Sequence, residues 1–102
     1  MKSRTPTRAE RYWMDAIVTH GCCVCRNQYS VFTETEIHHI DGKTKVGAHL
    51  NTIPLCYRHH REGSDNDVYT SRHPYKKRFE ERYGSENELL EALQRELGFC
   101  YT

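Results

Sequence analysis

The chain has 102 residues, with 15 Lys and Arg against 14 Asp and Glu and a formal net charge of +1. Only 36% of the residues are hydrophobic and 28% are charged. That is enough for one small domain, and it excludes a large-core enzyme fold, a doubly wound two-domain architecture and a membrane span, which needs roughly 18 apolar residues in a row.

The opening stretch, MKSRTPTRAERYW, has no apolar h-region, so no secretory signal is expected. A first helix is predicted at about 6–19. Thr7 with Glu10 three residues on fits a capping box, Pro6 suits a helix entrance, and Gly21 is a stop. Ala9, Trp13, Ala16 and Ile17 recur at helical spacing. The segment from Cys22 to about Cys56 reads as β-like, with Tyr29–Thr35 and Glu36–Ile40 rich in β-branched and aromatic residues. Asp41-Gly42 and Gly47 supply turn chemistry, and a tight hairpin is expected between His39 and Asn51. Pro54-Leu55-Cys56 opens a short helix or knuckle, and Gly63–Asp67 reads as loop. Two helices follow at about 74–97. One stops at Gly84; the other starts at Ser85, with Glu88 completing a second capping box, and carries Leu89, Leu90, Leu93 and Leu97 on one face.

Seven His and five Cys are a surplus of metal-ligand side chains for so small a chain. Small domains with little core use metals or disulfides as staples, and clustered Cys in a chain without a signal read first as metal ligands. Cys22 and Cys25 form C-x-x-C; Cys56 and His59 form C-x-x-H. Two-residue spacing lets both ligands of a knuckle reach one ion at about 2.3 Å, and two knuckles complete a tetrahedron suited to structural Zn²⁺. The alternative is that these Cys are small buried hydrophobes. C-x-C is a poorer chelate, so Cys22 rather than Cys23 pairs with Cys25. Cys100 lies far away and reads as a free thiol.

Between the knuckles lie His38-His39 and Asn51, and His60 follows His59 directly. Neighbours on a strand face opposite ways, which places one of His38 and His39 to ligate a metal and the other to face a substrate.

The order CxxC, HHI, N, CxxHH resembles the HNH endonucleases, and NTIPLC resembles that family's step into its second knuckle. The likeness covers residues 21–61. PLCYRHHREG and SRHPYKKRFEERYG further resemble the Ref group of phage HNH nucleases, which act with the recombinase RecA. The resemblance implies a small α+β fold. Its zinc-stabilised ββα-metal core, at about 20–65, would be flanked by N-terminal and C-terminal helices in a single domain over 1–102. It implies a DNA endonuclease of phage or prophage origin, acting in the bacterial cytoplasm in recombination. His39 resembles the general base, Asn51 the residue that fixes its imidazole, and His38 and His60 ligands of a catalytic Mg²⁺ or Mn²⁺. The position where many members carry a further ligand is Ser64, a poor one. His73 is the preferred replacement, with Asp65, Asp67 and His49 as rivals; on a strand, His49 would share the face of Asn51. The rival class is a zinc-stabilised DNA- or protein-binding module that no longer cuts.

Residues 1–61 carry nine Lys/Arg and five Asp/Glu, a net of +4; residues 62–102 carry six and nine, a net of −3. Arg58 and Arg61 flank the expected site and are candidate phosphate contacts. Lys2, Arg4, Arg8 and Arg11 form one basic set. Arg72, Lys76, Lys77, Arg78 and Arg82 form another, which reads either as a DNA-backbone face or as a solvated surface paired with Glu80 and Glu81. No base-reading helix is visible, so sequence specificity is expected to come from a partner such as a RecA filament.

Overall fold

A computed structural model describes residues 5–98; Lys2, Arg4 and Cys100 lie outside them. The fold is a small α+β arrangement of one two-stranded antiparallel sheet and surrounding helices. None of the described helices is long and apolar enough to cross a membrane.

Helix α1 spans Arg8–His20. Thr7 caps it, with the Thr7 hydroxyl accepting from Glu10 N–H and the Glu10 carboxylate accepting from Thr7 N–H, as the sequence predicted. Trp13 and Ile17 are fully buried, whereas Ala9 is exposed. Gly21 ends the helix at φ 84°, and a Cβ there would sit 2.8 Å from the Phe32 ring and 2.9 Å from the Thr33 carbonyl. Glycine is required both by the dihedral and by this close approach.

The β-like reading of the next stretch is corrected. Cys23–Tyr29 is a helix, α2, and 30–35 has no regular structure. Cys22 and Cys25 must turn toward one point, and a helical turn brings residues three apart to one side where an extended strand would send them to opposite faces. The aromatic and β-branched residues that looked strand-like, Val31 and Phe32 among them, are exposed.

Strand β1 spans Glu36–His39 and β2 spans Thr52–Leu55, paired Glu36 to Leu55 and His39 to Thr52. Pro54 is tolerated in β2 because a two-stranded sheet leaves one edge of each strand without a ladder partner. The connection is not a tight hairpin. It runs from Ile40 to Asn51, contains a 3₁₀ turn at Ala48–Leu50, and is closed by Ile40 N–H donating to the Asn51 carbonyl at 2.9 Å. His49 therefore lies on the 3₁₀ turn and not on a strand beside Asn51.

Helix α3 is the four residues Tyr57–His60, α4 spans Lys76–Tyr83 and ends at Gly84, and α5 spans Glu86–Glu96. Ser85 and Glu88 form the second capping box. Trp13, Ile17, Val24, Ile53, Leu55, Phe79, Leu89, Leu90 and Leu93 join the buried cysteines in one core, with β2 at its centre. The loop between α3 and α4 is tied by the Ser71 hydroxyl, which donates to the Arg58 carbonyl at 2.5 Å and accepts from Gly63 and Ser64 N–H.

Candidate active site and metal centres

Cys22, Cys25, Cys56 and His59 are all buried and converge. His59 Nδ1 lies 3.7, 3.6 and 3.1 Å from the sulfurs of Cys22, Cys25 and Cys56, and the Cys25 and Cys56 sulfurs are 3.9 Å apart. A tetrahedral zinc bound by three sulfurs and one nitrogen needs ligand–ligand edges of about 3.5–3.8 Å; three of these edges lie close to that range and the Cys56–His59 edge is shorter, so the four donors suit such an ion once that edge opens by a few tenths of an ångström. The thiols divide: the Cys22 thiol and the His59 ring pull the Cys56 thiol well below its ordinary value against the effect of burial, whereas the contact with Cys56 and then burial push Cys22 up, and burial pushes Cys25 up, so that without an ion the cluster favours a single thiolate, on Cys56. Cys23 points elsewhere: it is buried outside the cluster, and burial pushes its thiol up to about 12.

The second cluster is His38 from β1, His60 from α3 and His73 from the loop before α4. Their ring centroids are 5.1, 5.2 and 5.3 Å apart, and one nitrogen of each lies within 4.8 Å of the others. The backbone fixes the pair His60 and His73, whose main chains join through His73 N–H to the His60 carbonyl at 2.9 Å. His38 Nε2 meets Glu86 Oε2 at 2.5 Å, and His60 Nδ1 meets Glu36 Oε1 at 2.8 Å. Each of these rings thus has one nitrogen held by a carboxylate and the other remaining, the arrangement by which second-shell carboxylates orient imidazole ligands. Burial lowers the affinity of His60 and His73 for protons, with Arg72 adding to it at His73, so both rings favour the neutral, ligating form.

Glu86 is 2% exposed, on the first turn of α5. Burial alone would raise its carboxyl, but His38 and Arg72 outweigh that and hold it below the ordinary value. Arg72 Nε lies 3.0 Å from Glu86 Oε1, yet neither atom has an aligned hydrogen bond. The contact is therefore an ion pair at close range rather than a directed N–H···O bond.

His39 lies beside His38 on β1 and has a different partner. Its Nε2 is 2.9 Å from His49 Nδ1, and its own Nδ1 is buried with no hydrogen-bond partner. Burial and then the neighbouring His49 push its pKa down to about 4. The Asn51 side chain makes no hydrogen bond to His39.

Of the ligand candidates, only His73 joins His38 and His60. Asp65 accepts from Thr70 and Arg78, the Ser64 hydroxyl donates to Glu62, His49 meets His39, and Asp67 stands exposed in the loop. Glu36 and Glu86 were not among the residues singled out in the sequence. Glu36 precedes His38 by two positions on a strand, a spacing that shares a face and was legible. Nothing local marks Glu86, which reaches His38 across the fold.

Across residues 6–98 the chain matches the family described as recombination enhancement, RecA-dependent nuclease. The chain belongs to that family. Its description makes this a nuclease that depends on RecA and serves recombination, with DNA and RecA as the partners the description implies.

In this RecA-dependent nuclease, most of the expected DNA-facing cations are occupied within the fold. Arg61 grips Glu36 through both its Nε and Nη2, the latter at 2.7 Å, and lies over the Tyr57 ring. Arg58 lies over the Tyr69 ring at 5.6 Å. Arg78 pairs with Asp65 and Glu81, and Arg82 donates to the Asn66 and Asp67 carbonyls, both at 2.6 Å. Lys76 lies 3.8 Å from Glu86, and Lys77 is exposed with no ion pair among the described residues.

Proposed function

We propose that this family member is a metal-dependent DNA endonuclease of the HNH type, one domain over 1–102, encoded by a phage or prophage and acting in the host cytoplasm. The observation that carries the reading is the triangle of His38, His60 and His73, with His39 beside it on the same strand. Cys22, Cys25, Cys56 and His59 would hold a structural zinc, whose binding free energy is folding free energy. His38, His60 and His73 would hold a catalytic Mg²⁺ or Mn²⁺, with Glu86 and Glu36 orienting two of the rings. Such an ion supplies charge neutralisation at the phosphoryl oxygens and stabilises the leaving 3′ oxygen.

The chain's own part is proton transfer and placement. His39, neutral at pH 7 with its pKa near 4, takes a proton from the attacking water. Lys76 and Lys77 are the α4 cations best placed to meet phosphates, and the RecA filament supplies the remaining affinity for DNA.

The test is cleavage of single-stranded and supercoiled DNA, with and without RecA filament, in Mg²⁺ or Mn²⁺. Metal-dependent cutting that His39→Ala abolishes supports the reading. DNA binding without cutting under every condition would leave the non-cutting binding module in its place.

A further inference from the structure

The connection between β1 and β2 is fastened to the fold around His39. On leaving β1, Gly42 N–H donates to the His39 carbonyl at 3.4 Å; on the return, His49 Nδ1 lies 2.9 Å from His39 Nε2. Ala48 and His49 are buried, whereas residues 41–46 are exposed throughout. The exposed part is nevertheless held in place. The Lys45 carbonyl accepts from the buried Ala48 N–H at 3.0 Å, and the Gly47 carbonyl accepts from Leu50 N–H at 3.0 Å. A segment held in this way loses little freedom when it meets a partner.

The segment carries two cations, Lys43 and Lys45. Both are exposed, and neither forms an ion pair among the described residues. That sets them apart from Arg61, Arg72, Arg78 and Lys76, whose charges are met by Glu36, Glu86, Asp65 and Glu86. Lysines that guard a sheet edge sit on the strand itself, but these two stand outside both Glu36–His39 and Thr52–Leu55. An unpaired ammonium keeps its field for an incoming anion. The field of Lys43 reaches the histidine face: after burial and His49, it is the next influence on the His39 ring. Lys43 and Lys45 are two positions apart, so their Cα atoms are separated by at most about 7 Å, close to the step between successive phosphates of one strand.

Resting on the nuclease reading above, we propose that the β1–β2 connection is a DNA-phosphate grip: Lys43 holds a non-bridging oxygen of the phosphate that His39 faces, and Lys45 holds a neighbouring phosphate of the same strand. The ammonium groups act as point charges on the backbone and read no base, so the grip is independent of sequence. Negative charge builds on the phosphoryl oxygens as water attacks, and Lys43 is placed to stabilise it.

The experiment compares Lys43→Gln, Lys45→Gln and Lys43→Arg with the parent, all in the full chain. Both positions are exposed, so the variants should melt as the parent does. Affinity for DNA alone is read by anisotropy across a KCl series, with no Mg²⁺ or Mn²⁺ added. Each Gln variant should reduce the slope of log K against log salt by about 0.7–0.9, the share of one phosphate contact. Cutting is read with RecA filament and Mn²⁺. Lys43→Gln should lower the rate at saturating DNA by about 10- to 100-fold, and Lys43→Arg should recover most of it, whereas Lys45→Gln should raise KM more than it lowers kcat. An unchanged slope in both Gln variants, or a parent rate in Lys43→Gln at saturating DNA, overturns the proposal. So does loss of cutting with filament while DNA affinity and slope stay at parent values, which would make the segment a RecA contact. If the parent itself cuts with no metal, the nuclease reading falls and the place of Lys43 at a reacting phosphate falls with it, while the slopes still decide the two DNA contacts.

Discussion

His38 Nε2 and Glu86 Oε2 are 2.5 Å apart, although the two residues are separated by 48 positions in the chain. The contact ties the C-terminal helix to the histidine triangle, because Glu86 begins α5 and the apolar face of α5, Leu89, Leu90 and Leu93, packs in the core beside β2. Glu86→Gln keeps the shape but loses the charge. It should weaken divalent-ion binding at His38, His60 and His73 by about 10- to 100-fold and leave the cysteine site loaded. Calorimetric Mn²⁺ titration, with zinc content measured on the same sample, checks both halves.

Cys56→Ala should unfold the protein. The buried Cys22, Cys25 and His59 would remain without the fourth donor, and structural zinc contributes about 10–16 kcal/mol in small zinc-dependent folds. A domain's whole stability is only about 5–15 kcal/mol. Circular dichroism of the variant, and of the parent treated with a strong chelator, should show the same loss of helix. A cooperative melt unchanged by either treatment would contradict the structural role.

Glu36 carries a pH prediction. The Arg61 guanidinium, chiefly by its hydrogen bonds, holds the Glu36 carboxyl at about 2, with His60 adding to the effect. The folded pKa lies below the unfolded value of about 4.3. The resulting stability is therefore fully present above roughly pH 4.3 and is lost as pH falls toward 2. Arg61→Ala should bring the Glu36 carboxyl back toward the ordinary range and shrink that acid-dependent window. A ¹³C titration of the Glu36 carboxyl reads it directly. The pair is partly exposed, so the gain in stability is small.

Arg82 and Lys77 should behave oppositely. Arg82→Ala removes two short bonds to the Asn66 and Asp67 carbonyls. A cost of about 1.5–3 kcal/mol is expected in chemical denaturation, with DNA affinity little changed. Lys77→Ala should leave stability unchanged and reduce the salt dependence of DNA binding by about one unit of slope. Anisotropy with labelled DNA across a KCl series distinguishes the two.

Local signals carried the framework of this fold. Thr7 with Glu10 and Ser85 with Glu88 announced the starts of α1 and α5, and Gly21 and Gly84 the stops of α1 and α4, because capping is chemistry among residues three or four apart. The same holds for Cys22, Cys25, Cys56 and His59, whose spacings are those of two short knuckles. The failures were contextual. Tyr29–Thr35 has strand composition but packs against nothing that would make it one, and the turn of α2 was set by where the thiols of Cys22 and Cys25 must point. The contacts of Glu86 and His49 were invisible for a related reason. Their partners, His38 and His39, are brought to them by folding, and neither pairing leaves a periodic or spaced trace in the chain.

His59 turns into the cysteine cluster and His60 into the histidine triangle, yet the two are consecutive residues of the four-residue α3. One helical step, about 100° of rotation, separates the two assignments. A deletion of a single residue between Cys56 and His60 would carry the next histidine to the wrong centre and leave the other without a donor. This stretch should therefore tolerate substitution at Tyr57 and Arg58, which face outward, far better than any change of length.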